Sequence, residues 1–133
     1  MKTEPPSVRG IVVGHGNMPQ GLVDAVRRIA GEAASALVAL SNEGKGPDAL
    51  RSEVEAAAGP GPAIVFADIQ AGSCGAAAAY ACRECSGRIA MISGVNLPML
   101  LDFVFHRDLA LEALVARLVE GGRSAIRSVP AAS

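Results

Sequence analysis

The sequence holds few side chains able to carry covalent chemistry, and the most suggestive stands alone. Residues 11–17 read Ile-Val-Val-Gly-His-Gly-Asn, so that a run of buried-strand residues ends on a histidine between two glycines. An imidazole where a backbone leaves a sheet, with no Cβ on either side, can be approached by another macromolecule. An isolated histidine is more often structural than catalytic, so His15 matters only if a second group serves it. Asp68 ends another apolar run and could hold one ring nitrogen, fixing the tautomer and leaving the other nitrogen nucleophilic. Read alone, Asp68 is equally a turn residue. Gly72-Ser73 then opens a helical segment, where free backbone N–H groups and the positive end of the helix dipole favour an anion such as a phosphoryl group. As a plain N-cap, Ser73 would sit in the same place.

Competing chemistries fit less well. Gly14-x-Gly16 would need a glycine at position 19 to complete a dinucleotide fingerprint, and Pro19 stands there; a Walker lysine loop is also missing. Cys82-x-x-Cys85 has the spacing of a redox or zinc pair but lies toward a helix end, and only Cys74 could add a third thiolate. The pair reads as inert, partly buried thiols. Cys74, in the first turn of a helix, is the exception that could be reactive. His106, near another helix end, reads as structural. A serine hydrolase is the main rival: Ala71-Gly72-Ser73-Cys74-Gly75 approaches a nucleophile elbow, and Asp102 and His106 follow in hydrolase order. Their spacing places acid and base one turn apart on one helix, whereas a triad brings them from separate loops. A non-catalytic regulatory or scaffold role is the third class.

These residues need a frame. Strand-length apolar runs occur at Val8 to Gly14, Ala36 to Leu40, Ala63 to Ala67 and Arg88 to Ser93, without strict alternation, as suits strands covered on both faces. Between them lie helical patterns: a stripe of Leu22, Val26 and Ile29 stopped by Gly31, then Asp48 to Ala58, then the alanine-rich Ser73 to Cys85. Pro98 to Phe105 and Leu109 to Glu120 follow as two helices, and Ser124 to Val129, after Gly121-Gly122 read as a flexible joint, reads as a short last strand added antiparallel to a sheet edge. This alternation predicts an α/β fold, a mostly parallel four-stranded sheet with helices on both faces. Residues 1–7 read as an extension, 8–129 as the domain and 130–133 as a tail. In such sheets ligands bind beyond the carboxyl ends of the strands. That rim carries His15 and Gly16, residues 41–44, Asp68 to Ser73, and Gly94-Val95-Asn96.

Composition narrows the partners. The 133 residues carry 13 acidic and 12 basic side chains, for a net charge of −1, with only four aromatic residues (one Tyr, three Phe). A nucleic-acid surface is not expected. Nor is membrane insertion, since no apolar run reaches spanning length and residues 1–7 lack a signal-peptide core. Three cysteines, an odd number, fit a reducing, cytoplasmic setting.

Taken in order, Val12-Val13-Gly14-His15-Gly16, Ala67-Asp68-Ile69-Gln70-Ala71-Gly72-Ser73 and Ser93-Gly94-Val95-Asn96-Leu97-Pro98-Met99-Leu100 resemble the enzyme IIA domain of mannose-type (mannose/fructose/sorbose) phosphoenolpyruvate-dependent sugar phosphotransferase systems. The resemblance covers about residues 8–128. It implies a free-standing phosphocarrier subunit in which His15 takes a phosphoryl group from the phosphohistidine of HPr and passes it to a IIB domain, for sugar uptake or regulation. Asp68 would pair with the imidazole, Gly72 and Ser73 would hold the phosphate, and Gly16 and Asn96 would be partner or rim contacts. Neither metal, nucleotide nor other cofactor is implied. A homodimer that exchanges the last strand is. Where the family commonly has a glycine pair and a proline around the serine, this chain has Ala71 and Cys74.

Overall fold

Four parallel strands lie in the order β2-β1-β3-β4: β1 Arg9–Gly14, β2 Leu37–Ser41, β3 Ala63–Ala67 and β4 Ile89–Ser93. The computed structural model describes residues 7–85 and 87–131; most of the expected extension, residues 1–6, and the end of the tail, residues 132–133, lie outside the described residues. Register sets Val13 beside Leu40 on one side and beside Ala67 on the other, so the strands end level. The central β1 and β3 are buried nearly throughout, as their unbroken apolar runs predict. The edge strands β2 and β4 are only partly covered.

Five helices complete the layers: α1 Met18–Ala30, α2 Pro47–Ala58, α3 Gly72–Glu84, α4 Leu97–Val104 and α5 Leu111–Ser124. Val23 and Val26 of α1 share one core with Leu100 and Phe103 of α4 and Leu114 and Leu118 of α5. Leu50 and Val54 of α2 and Cys74, Ala77, Ala78 and Ala81 of α3 build the other, on the opposite face. The alanines of α3 let that helix lie close to the sheet, where larger residues would hold it off. Connections leaving β1 run over the first face toward β2, whereas those leaving β3 run over the second toward β4. The sheet therefore switches direction between β1 and β3.

Three local expectations are corrected. The apolar stripe of α1 is Pro19, Val23 and Val26, with Leu22 at its margin and Ile29 63% exposed; a helix with apolar residues at several neighbouring phases does not declare which side turns inward. A turn of 3-10 helix, Gly31–Ala36, precedes β2. Within a single chain Ser124 to Val129 forms no strand of its own sheet: α5 runs through Gly121 and Gly122 to Ser124, and residues 126–131 join no strand of this chain. Gly122 is a packing residue and not a joint, because a Cβ there would lie 2.7 Å from the Met99 methyl, and its carbonyl accepts from Asn96 Nδ2 at 3.0 Å.

The first core centres on Phe66 and Phe103, both fully buried and edge to face with ring centroids 5.2 Å apart. Phe103 also lies against the bare backbone of Gly10. Phe103→Ala should cost about 3–5 kcal/mol of unfolding free energy, read as a lowered denaturation midpoint at unchanged m-value.

Candidate active site

The switch between β1 and β3 places the residues after those strands side by side, at the usual crevice of an open parallel sheet. His15 follows β1 and Asp68 follows β3. The Asp68 Oδ2 atom accepts from the His15 backbone N–H at 3.0 Å and lies 2.6 Å from His15 Nδ1. Its other oxygen accepts from the Ile69 N–H at 2.8 Å. Partial burial alone would lift the Asp68 pKa; hydrogen bonds from the His15 ring, the His15 N–H and the Ile69 N–H, with the electrostatic pull of His15, outweigh it and hold the carboxyl below its ordinary range. An ionised carboxylate facing Nδ1 keeps the proton on that nitrogen and leaves the Nε2 lone pair outward. The His15 side chain is 48% exposed.

Small residues make this approach feasible. A Cβ on Gly14 would overlap the Met18 methyl and lie 3.2 Å from the Asp68 carboxylate. Gly72 begins α3 with φ +88°, a conformation glycine takes without strain, and a Cβ there would sit 3.8 Å from Nε2. The imidazole edge thus faces the first turn of α3, whose N–H groups have no partner within the helix. Ser73 is half-buried in that turn and also lines a recess with Pro47, Arg51 and Tyr80. Across the site, Gly16 has open space above it, and its N–H reaches Asn42 Oδ1 at 3.4 Å.

The structure thus gathers His15, Asp68, Gly72 and Ser73, with Gly16 beside them. Asn96 is committed elsewhere: it caps α4 by accepting from the Met99 N–H at 3.0 Å and ties that helix to Gly122. Sequence reasoning assigned no role to Asn42, whose backbone N–H also binds the Gly14 carbonyl at 3.0 Å. Gly75, read from sequence only as the last position of the hydrolase elbow, has a packing role instead: any Cβ there would overlap the Gln70 carbonyl. The signal for Gly75 was a glycine inside the first turns of an alanine-rich helix, where nothing local asks for one.

Cys74 departs from expectation. It is fully buried, with Sγ 3.9 Å from His15 Nδ1. Burial first, and the Asp68 charge second, push its thiol pKa up against a smaller opposing hydrogen bond from Ser73, which is the reverse of an activated cysteine. Cys82 and Cys85 are half-buried and free, and Arg88 Nη2 donates to Cys85 Sγ at 2.9 Å. The hydrolase triad is not assembled: His106 Nδ1 lies 3.0 Å from Asp102 Oδ1 and 2.8 Å from its carbonyl, Arg117 binds the same carboxylate, and α4 packs on the sheet face opposite Ser73. Among the described residues, His15, Asp68 and Cys74 each offer one possible donor atom, all within 4.8 Å of one another.

The family model described as "PTS system fructose IIA component" matches residues 10–119. Among solved structures, the phosphotransferase system component EIIA from Streptococcus agalactiae superposes with a TM-score of 0.86 at 23% identity, covering 92% of this chain and 98% of that one. The mannose/sorbose specific IIA subunit of the phosphotransferase system from Enterococcus faecalis gives 0.79 at 25% identity, with 95% of each chain covered. A sigma-54 interaction domain protein from Enterococcus faecalis gives 0.75 at 13%, covering 91% and 94%. At 23% and 13% identity the likeness is one of fold. No curated protein matches the sequence.

The Asp68 contacts make stability depend on pH with a defined sign. A carboxyl whose pKa falls on folding contributes stability that is complete above its unfolded value, here 3.8, and is lost as pH drops through the lower folded value. Asp68→Asn should therefore be less stable than the parent at neutral pH. The gap should close as acid takes the pH below 3.8, as followed by denaturant titrations across that range.

Proposed function

The chain belongs to the family of fructose-type IIA components of the sugar phosphotransferase system, matched over residues 10–119, and from that premise we propose that His15 is its phosphoryl acceptor, charged by phospho-HPr and discharged to a IIB domain. The observation that carries the reading is the 2.6 Å contact between Asp68 Oδ2 and His15 Nδ1, which leaves Nε2 as the free nucleophile beside the first turn of α3.

In the transfer, the Nε2 lone pair forms a bond to phosphorus as the donor's P–N bond breaks, and the donor imidazole keeps the electron pair. Such transfer asks for in-line positioning and stabilisation of the equatorial oxygens more than for acid or base chemistry. Asp68 holds the ring through the Nδ1–H before and after transfer and balances the positive charge that the N-phosphorylated ring acquires. The N–H groups of Gly72 and Ser73 and the Ser73 hydroxyl receive the phosphoryl oxygens. Gly16 keeps the approach open, and Asn96 serves the site by fixing the loop between β4 and α4. None of these steps uses a metal or nucleotide. No helix among the described residues is long and apolar enough to cross a membrane, in keeping with a cytoplasmic subunit that meets its partners in solution.

Phosphoenolpyruvate, enzyme I and HPr should place one acid-labile phosphoryl group on His15, located by mass spectrometry, and His15→Ala should take none. An acid-stable label, or full labelling of His15→Ala, would overturn the assignment.

The same reading includes a homodimer. Ile126 is 78% and Val129 fully exposed, and Ile126 lines a cleft of about 290 Å³ with Met91 and Ser93 of the edge strand β4. A segment from a second subunit paired along β4 would cover that edge and those side chains. Light scattering should find a dimer for the full chain and a monomer for a chain ending at Ser124.

A further inference from the structure

We propose that His15 Nδ1, the Asp68 carboxylate and Cys74 Sγ form a site for a thiophilic divalent cation of the zinc type, and that filling it switches the histidine off. The first half stands on geometry. The second rests on His15 being the phosphoryl acceptor.

The three donors come from three elements, the ends of β1 and β3 and the first turn of α3, and all lie within 4.8 Å of one another. Nδ1 is 2.6 Å from Oδ2 and 3.9 Å from Sγ. Zinc held at about 2.0–2.3 Å in tetrahedral geometry needs donors roughly 3.3–3.8 Å apart, so the ion would enter once the Nδ1 to Oδ2 pair parts by about 1 Å. Cys74 is fixed in a buried helical turn, and the Ile69 N–H orients the carboxylate from its far oxygen. One carboxylate and one thiolate neutralise a dication, and the sulfur selects zinc-like ions over magnesium or calcium.

The consequence follows from which nitrogen is used. Binding takes the Nδ1 lone pair, so the ring proton moves from Nδ1 to Nε2, while the Cys74 S–H proton leaves to solvent and Asp68 stays ionised. Nε2 then carries a hydrogen and has no lone pair for phosphorus. Metal and phosphoryl group thus exclude each other through the tautomer, without touching the same nitrogen. Cys74 makes this device possible, and it stands where the resembled family commonly has proline.

Cobalt(II), added to the reduced, metal-free full chain, reports the site through a thiolate-to-cobalt charge-transfer band. The band should appear in the parent and in Cys82→Ser/Cys85→Ser, and zinc should remove it. In Cys74→Ser and Cys74→Ala, affinity should fall by more than about 100-fold, beyond the 10–100-fold typical of groups that only support a ligand. A band that survives loss of Cys74, or disappears with Cys82 and Cys85, overturns the site. With purified phospho-HPr as sole donor, zinc should suppress labelling of the parent, a chelator should restore it, and the labelled fraction of Cys74→Ser should not respond to zinc. An equal zinc effect in parent and Cys74→Ser overturns the switch. A Cys74-dependent band in a protein that never accepts a phosphoryl group would uphold the site and refute the phosphocarrier reading, whereas labelling without any band would do the reverse.

Discussion

One carboxylate oxygen organises the site. Asp68 Oδ2 meets both the His15 N–H and Nδ1, so backbone and ring of the same residue are fixed from one point, while Oδ1 is tied to the Ile69 N–H. This clamp exists only because β1 and β3 are neighbours that end level and send their chains to opposite faces of the sheet. A Cβ at Gly14 would crowd the Asp68 carboxylate at 3.2 Å. Fold and site are thus one constraint: a buried parallel strand pair sets where the carboxylate stands, and the carboxylate decides which nitrogen is free.

The second support is the start of α3. The loop from Asp68 to Ala71 folds back onto its own helix so closely that position 75 has no room for a Cβ. That closeness swings the first turn toward the imidazole, with Gly72 in the left-handed region at the point of nearest approach. Cys74 is carried inward by the same turn. A thiol that would be activated at an open helix start is buried beside a carboxylate, and its chemistry is inverted by position alone.

Much of this was legible in the residues. The Val- and Ile-rich runs mark the four strands within a residue or two, and the rule that ligands sit beyond strand ends puts His15, Asp68 and Ser73 on one rim. What escaped reading was everything decided by distant packing. Ile29 has the right spacing for a buried stripe, but α1 carries apolar residues at neighbouring phases and the sheet chose another. Gly121-Gly122 has the composition of a joint, yet the helix continues through both, with Gly122 packed against Met99 and its carbonyl bound by Asn96. Asn96 sits on the predicted rim, but its amide is consumed by a cap and a helix tie. In each case the local pattern was ambiguous and a residue far away in sequence settled it.

Exposure of the histidine is the remaining design question, because an exposed nucleophile forgoes the strengthened electrostatics of a closed site. A small-molecule enzyme would gain by burying His15; a carrier that exchanges a group between proteins cannot, since donor and acceptor imidazoles must come within about 3–3.5 Å of the phosphorus between them. The half-exposed ring, the open space above Gly16 and the absence of a side chain at Gly72 suit that demand. The cost in orientation is met from below, where Asp68 fixes Nδ1 without covering Nε2. In the proposed carrier a docked partner would complete the exclusion of water that a closed pocket otherwise supplies, so catalysis would be divided between two surfaces, and half of the active site would belong to whichever partner is bound.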